Sequence, residues 1–531
     1  MPTVREVTFD LFRKLEMTTM FGNPGSTELP MLADYPDDFE YILGLQEAAV
    51  VGMADGYAQV TGKPTLVNLH TAPGLGNAVG ALFNAQANHS PVVVTVGQQV
   101  RAQVTMQANL TNRDAIRVPD PFVKYSYEPS RAEDVPLAIA HAIHLAATPP
   151  MGPVMVSIPM DDWEVEMDAS QAQHVIDRAV SGRSGADPAA IGELAARLSA
   201  AANPVLVAGP DIDAAGAWDE AIALAEDQNL PVWASPATGG GRIGFPESHP
   251  HWRGVLPPAI QPVGETLKDH DLVLVVGSSV FPYYPYLPGA FLGENTKLVQ
   301  ITSDPDEAAR APMGEAIISD VKLALAALNA ELEGTGRPDI EPWPGPVRMD
   351  ETDPLNPSTV MNTLKQVMPD DAIVVLEAPT STMALRNQLR VSKPNSYFFG
   401  AGGGLGFGLS AAVGIQYAEE RPVVCVLGEG SVQYAVTAFW TAAAYDIPVT
   451  FLVLRNEEYG ILKWFAEVEQ VSNAPGLDLP ALETAKIASG YGIESQSASS
   501  AEEVEAALKE ALADPKPRLL EVPVQPGMSL F

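Results

Sequence analysis

The sequence predicts an α/β protein of three domains, each a mostly parallel sheet covered by helices. Short apolar, β-branched runs alternate with alanine-rich helical stretches along the whole chain, the pattern of strands joined by crossover helices. At 531 residues the chain has room for about three domains of ordinary size. Two breaks, a polar stretch at 181–187 and the proline-rich RPDIEPWPGP at 337–346, separate the blocks.

The first block, 1–181, opens on MPTVREVTFDLFRKL, an amphipathic helix pattern, and holds the strand-like runs TTMFG, YILGL, PTLVNLH, PVVVTVG and GPVMVSIP. It closes after DDWEVEMD. The second block, 182–340, carries PVLVAG, PVWAS, DLVLVVG and KLVQITSD. The linker that follows is too rich in proline for a helix or a central strand. The third block, 341–531, carries AIVVLEA, SYFFGAG, PVVCVLGEG, PVTFLVLRN and PRLLEVPV. Its strand rhythm resembles that of the first block.

Composition narrows the function. A hydrophobic content of 46% with 18% charged residues describes a soluble chain able to bury several cores. The formal charge of −35 repels nucleic acid and anionic membrane, so neither is expected as a partner. Plain solubility explains that charge more readily than a salty habitat does. The single Cys425 cannot form an internal disulfide, and its place in an apolar run marks it as a small core residue. With charges through the first helix and no run of about 18 apolar residues, neither a signal peptide nor a membrane span is expected. The expected location is the cytoplasm.

The chemistry centres on LGEGSVQY, where a β-run ends and Glu429 stands between Gly428 and Gly430. Downstream, PVTFLVLRN ends in Asn456, with 25 residues between Gly430 and Asn456, enough for one helix and one strand. A β-turn-α-β unit of that length brings Glu429 and Asn456 to neighbouring strand ends on one sheet edge. There a carboxylate and an amide oxygen can share a hard cation while the glycines admit a phosphate. Alone, the Gly-x-Gly turn is weak evidence; paired with Asn456 it is stronger. Glu47 opens a helix after YILGL, where a glutamate also complements the helix dipole. His70 ends PTLVNLH before a glycine turn, placed for proton transfer near neutral pH or for a structural hydrogen bond. Ser26, in FGNPGSTELP, reads by itself as a turn serine.

The pairing of Gly-Glu-Gly with Asn456 resembles the thiamine diphosphate motif, with Glu429 in place of an aspartate and Arg455 in place of a first asparagine. The segments FGNPGS, LQEAAVVGMADGYA, NLHTAPG, EAARAPMG, GGGLGFGL and YGILKWF resemble the benzoylformate decarboxylases of the thiamine diphosphate-dependent 2-keto acid decarboxylase family, essentially from end to end. The resemblance implies that family's fold, with a pyrimidine-binding first domain and a diphosphate-binding third. It implies thiamine diphosphate and Mg²⁺, the metal held by Glu429, Asn456 and the main-chain carbonyl of Glu458. The extra methylene of Glu429 implies a relaxed metal choice, with Ca²⁺ competing.

Further cofactor contacts fall on Asn23, Pro24, Gly25, Thr380, Gly403, Gly430, Ser431, Tyr459 and Gly460, while Pro379 offers no hydroxyl. Leu405 matches the apolar wedge beneath the thiazolium. Glu47 matches the glutamate that protonates the aminopyrimidine N1′, His70 a proton-transfer residue at the keto oxygen, and Ser26 a holder of the substrate carboxylate. Tyr284 stands where the family has a second histidine; its phenol, with an ordinary pKa near 10, is a poor base at neutral pH. Asn109, Leu110, Phe399, Ile461 and Phe465 fall on the substrate pocket, with isoleucine at 461 in place of alanine and asparagine at 109 in place of leucine.

The implied reaction is non-oxidative decarboxylation of a 2-keto acid, benzoylformate or a related aryl 2-keto acid, to aldehyde and CO₂ through an enamine on the cofactor. Two other readings are a carboligase or a decarboxylase of smaller 2-keto acids, and a catalytically impaired binding protein on the same fold. Retention of Glu47, His70 and Ser26 argues against the last. The family's assembly implies a homodimer as the minimum active unit and a homotetramer as the expected one.

Overall fold

The computed structural model describes residues 1–236, 241–281, 283–342 and 352–527. Three six-stranded sheets follow one another along the chain. The first contains β1 (Thr19–Asn23), β2 (Glu40–Leu43), β3 (Thr65–Leu69), β4 (Val92–Gln98), β5 (Tyr125–Tyr127) and β6 (Val154–Pro159), in the order β2-β1-β3-β4-β6-β5. The second contains β7 (Pro204–Ala208), β8 (Val232–Ala234), β9 (Trp252–Val255), β10 (Leu272–Val276), β11 (Lys297–Thr302) and β12 (Glu315–Ile318), in the order β12-β11-β10-β7-β8-β9. The third contains β13 (Ile373–Glu377), β14 (Tyr397–Phe399), β15 (Val423–Gly428), β16 (Thr450–Arg455), β17 (Glu494–Ser497) and β18 (Arg518–Pro523), in the order β14-β13-β15-β16-β18-β17.

Every strand pair in these sheets is parallel. Strands such as β3, β4, β13 and β15 are mostly apolar and buried along almost their whole length because helices cover both of their faces. The first and third sheets have the same strand order. All fourteen strand runs read from the sequence are present; β5, β9, β12 and β17 are additional, and each is an edge strand.

The first and third domains share one core. Helix α1 (Glu47–Thr61), reached from β2, packs along α3 (Phe407–Ala418), and their side chains belong to a single buried cluster. The approach is close enough that small residues are required: a Cβ on Gly414 would lie 1.9 Å from Met53 O, and one on Gly56 2.3 Å from Ala411 O. Helix α2 (Thr71–Ala87) packs beside α1.

The middle domain is latched to the third by a buried ion pair. Glu247 and Arg386 are both almost fully buried and bonded to each other, Val391 N donates to Glu247 Oε2 (2.7 Å), and the guanidinium lies over the Tyr397 ring at 4.6 Å. Truncating one partner strands the other charge in the core. Glu247→Ala is therefore expected to cost about 3–5 kcal/mol, whereas Glu247→Leu with Arg386→Met costs much less; equilibrium denaturation of the three proteins checks this.

The first part of the linker is anchored to the middle domain, with Arg337 Nε donating to Ala201 O (3.1 Å) and Nη1 to Gln228 O (3.0 Å). Its remainder, 343–346, lies outside the described residues. Among the described residues no helix is long and apolar enough to cross a membrane.

Candidate active site

Parallel strands deliver their loops to one edge, and the first sheet delivers three candidate residues to the same edge. Asn23 ends β1, Glu47 opens α1 after β2, and His70 follows β3 as the N-cap of α2. Asn23 Nδ2 donates to Glu47 Oε1 (3.1 Å), and Asn77 Nδ2, from α2, donates to Glu47 Oε2 (2.9 Å). The half-buried Glu47 carboxylate is thus oriented by two amides. His70 lies beside it, since a Cβ on Gly74 would sit 3.4 Å from Glu47 Oε1 and 3.5 Å from His70 Cβ.

His70 has its own carboxylate. Its Nδ1 lies 2.9 Å from Oε2 of Glu28, which is 1% exposed, and 3.1 Å from Thr27 Oγ1. Glu28 also accepts from Gly25 N (2.8 Å) and from Thr27 Oγ1 (2.7 Å), which ties the 24–28 turn to the histidine. Such a partner favours the tautomer protonated on Nδ1 and leaves Nε2 as the basic nitrogen. Gly25 is required here because a Cβ would lie 2.1 Å from His70 Nδ1. Pro24 is half-buried and Ser26, next in the turn, is exposed.

The third sheet builds a second cleft at its own C-terminal edge. Gly428 ends β15 and pairs with Leu454 of β16, so Glu429 and Asn456 come out on adjacent strands as the spacing predicts. Glu429 is 1% exposed, and its Oε1 accepts from Asn456 N (3.1 Å) and Glu457 N (2.7 Å). Burial pushes the Glu429 carboxyl up, a cost that a bound cation would relieve. Thr380, Gly430, Ser431, Asn456, Glu458 and Tyr459 line the cleft around it. Two glycines keep the cradle tight: a Cβ on Gly430 would meet the Tyr459 ring at 2.7 Å, and one on Gly460 would meet Thr380 Cγ2 at 2.8 Å.

The Glu458 carboxylate is engaged by Lys463 and by Gly527 N (2.7 Å), neither of which lines the cleft. A carboxylate, an amide oxygen and a main-chain carbonyl form a hard oxygen set suited to Mg²⁺ or Ca²⁺. Among the described residues no cluster of three His, Cys, Asp or Glu is placed to hold a metal.

Leu405 lines this cleft and also a second groove shared with Ala48, Gly80 and Asn84 of the first domain. Its loop needs the left-handed region at Gly403 (φ 73°) and Gly406 (φ 102°). Ile461 lines the cleft at the start of α4 (Gly460–Val468), and Phe465 follows one turn later. Tyr284 comes from the middle domain and meets the Phe465 ring at 4.8 Å between centroids.

Within one chain the two groups remain apart. None of Ser26, Glu47, His70, Asn109 and Leu110 lines the Glu429 cleft. Asn109 and Leu110 sit on an outward loop, where Asn109 O accepts from Gln99 Nε2 (2.7 Å) and Leu110 adopts φ 67°. Phe399 ends β14 and packs partly buried against the core, its N–H donating to Gly241 O (2.8 Å). Glu28, Asn77, Asn84 and Glu377 touch these groups without having been singled out from sequence. Glu28 reaches His70 from 42 residues away and Asn77 reaches Glu47 from 30, contacts between separate elements that carry no motif.

Three family models match the chain: the N-terminal TPP binding domain of thiamine pyrophosphate enzymes over 2–117, their central domain over 191–328, and their C-terminal TPP binding domain over 378–522. The chain is 49% identical to a benzoylformate decarboxylase of Pseudomonas aeruginosa, covering 99% of both. A solved 4-hydroxybenzoylformate decarboxylase of Rhodococcus jostii RHA1 superposes with a TM-score of 0.97 at 44% identity, covering 99% of this chain and 100% of that one. The benzoylformate decarboxylase of Polynucleobacter necessarius superposes with a TM-score of 0.96 at 41% identity, covering 100% of each.

Proposed function

The chain belongs to the thiamine pyrophosphate enzymes, and from that membership we propose that it decarboxylates benzoylformate or a related aryl 2-keto acid to the aldehyde and CO₂. The observation that carries the proposal is the carboxylate of Glu47, held by Asn23 and Asn77 beside His70, on a sheet with the same strand order as the one bearing the Glu429 cradle. We place the domain limits at 1–181, 182–340 and 341–531, one sheet in each.

The cradle fits a diphosphate and a divalent cation. Gly430 and Gly460 leave room that a Cβ would fill, and Thr380 and Ser431 supply hydroxyls. Glu429, Asn456 and the Glu458 carbonyl would hold Mg²⁺. Gly403 and Tyr459 complete the contacts. The bound cofactor supplies a nucleophilic C2 carbon and an electron sink for the pair released as CO₂ departs. Glu47 would exchange a proton with the aminopyrimidine N1′, its carboxylate kept in place by the two asparagine amides. His70, oriented by Glu28, would move a proton at the keto oxygen, and the Ser26 hydroxyl would bind the substrate carboxylate. Tyr284 would close the pocket with Phe465 and donate its phenolic hydrogen bond.

A second copy of the chain would complete the site. Glu47 and Glu429 belong to separate groups in one chain, and apolar side chains stand exposed on both sides: Leu29, Leu45 and Met106 near the first, Tyr434 and Leu462 near the second. A homodimer with two sites, paired into a tetramer, would bury them. An intracellular location belongs to the same reading, supported by the lone buried Cys425.

Ile461 tests which 2-keto acids are preferred. Its side chain lines the cleft, and overpacking beside an aryl group costs about 1–3 kcal/mol, or roughly 5- to 150-fold in specificity. Ile461→Ala is expected to raise the kcat/KM ratio of benzoylformate over 2-ketobutyrate within that range. A ratio that does not move would show that Ile461 is not the pocket wall.

A further inference from the structure

The segment 400–406, which carries Leu405 into the Glu429 cleft, is gripped on both sides of that leucine. Asn84, on α2, makes a reciprocal pair with Gly404: Asn84 Nδ2 donates to Gly404 O (2.9 Å), and Gly404 N donates to Asn84 Oδ1 (3.0 Å). Glu377, the last residue of β13, accepts through Oε1 from Gly406 N (2.8 Å) and Phe407 N (3.0 Å). Leu405 is the one residue between the two grips.

The second grip has a clear cause. Gly406 is the N-cap of α3 and has no side chain to satisfy the first amides of that helix. Glu377 reaches across from the sheet and does so. Both gripping side chains are 5% exposed. Their presence shapes the loop, since a Cβ on Gly402 or Gly404 would lie 2.7 Å from Asn84 Oδ1, and one on Gly408 2.5 Å from Glu377 Cβ.

The arrangement is costly. Glu377 Oε2 is buried without a partner, and burial pushes the carboxyl up to about 8 despite the backbone N–H groups that oppose the shift. A third contact links the loop to the first domain: Ala401 N donates to Asn88 Oδ1 (2.9 Å), whose Nδ2 donates to Asp55 on α1 (2.8 Å).

We propose that Asn84 and Glu377 are positioning residues that together set the height of Leu405 in the cofactor cleft. The proposal rests on the reading of the cleft given above. Leu405 projects from a glycine-rich turn with little rigidity of its own, so its placement depends on what holds its neighbours. A displacement of about 1 Å at such a contact costs on the order of 10²-fold in rate.

The test separates loop order, cofactor binding and turnover in the full chain. In cofactor-free protein, Asn84→Ala is expected to speed amide hydrogen exchange across 401–407 by about 10- to 100-fold, while Asn84→Asp, which keeps the acceptor for Gly404 N, gives a smaller increase. Glu377→Gln, which keeps an Oε1 acceptor, should hold the loop, whereas Glu377→Leu should free it. With Mg²⁺ present, the thiamine diphosphate Kd of Asn84→Ala should stay close to wild type because the Thr380 and Ser431 cradle is untouched. Its kcat should fall about 10- to 100-fold, as should that of Leu405→Ala. Unchanged exchange in Asn84→Ala, or loosened exchange with wild-type kcat, would overturn the proposal. A wild-type chain that binds the cofactor but releases no CO₂ would overturn the functional reading instead, with the exchange data still judging the grip.

Discussion

Glu47→Gln is expected to slow exchange of the bound cofactor's C2 proton by about 10²- to 10⁴-fold, the range for loss of a positioned acid–base group, with folding unaffected. The substitution is nearly isosteric, and Glu47 lies half-buried at the first turn of α1, outside the packed seam with α3. What changes is the proton. A glutamine can still accept from one of Asn23 and Asn77 through its single oxygen, but it cannot give a proton to N1′ and take it back. Cofactor affinity should change little, because the diphosphate and metal contacts belong to the third domain. Exchange at the wild-type rate would remove Glu47 from the chemistry.

Glu429→Ala is expected to weaken thiamine diphosphate binding on the order of 10²-fold or more, equivalent to about 3 kcal/mol for losing one partner of a buried charged cluster. The loss is compound. The metal loses its carboxylate, and the N–H groups of Asn456 and Glu457 lose the acceptor that holds the turn after β16. Wild-type protein should retain the cofactor with Ca²⁺ nearly as well as with Mg²⁺, and Glu429→Asp should shift that preference toward Mg²⁺. Undiminished cofactor retention by the alanine variant, or by wild type in excess chelator, would contradict this assignment.

Together the two variants test the shared site. Each alone should be nearly inactive. Coexpressed at equal levels, half of the dimers are hybrids, and each hybrid keeps one site with both residues intact, so about a quarter of wild-type activity should return. Sites contained within single chains would return none.

Much of this was legible in the sequence. Interior strands of a parallel sheet are covered on both faces, so they write themselves as unbroken apolar runs such as PVVCVLG, and all of these were found. The strands that escaped are edges. Glu494–Ser497 shows mostly exposed polar side chains and carries no apolar signal, while Glu315–Ile318, just as open, is an apolar run too short to stand out. The pairing of Glu429 with Asn456 was readable because it depends on counting residues through one β-α-β unit.

Glu28, Asn77, Asn84 and Glu377 were not readable for the opposite reason. Each acts through a contact between separate elements, and Asn84 bonds a glycine 320 residues away. A lone asparagine on a helix or glutamate at a strand end looks the same whether it orients a catalytic group or faces water. Separation of the Glu47 group from the Glu429 cleft in one chain is likewise a fact of three dimensions, which no spacing encodes.

The most direct measurement of the central claim is benzaldehyde and CO₂ production from benzoylformate by the purified full chain, with and without added thiamine diphosphate and Mg²⁺. The account predicts stoichiometric release of both products, dependent on the cofactor, lost on chelation and recovered on adding metal back. Saturated cofactor binding with no product from benzoylformate, its 4-hydroxy analogue or 2-ketobutyrate would contradict it.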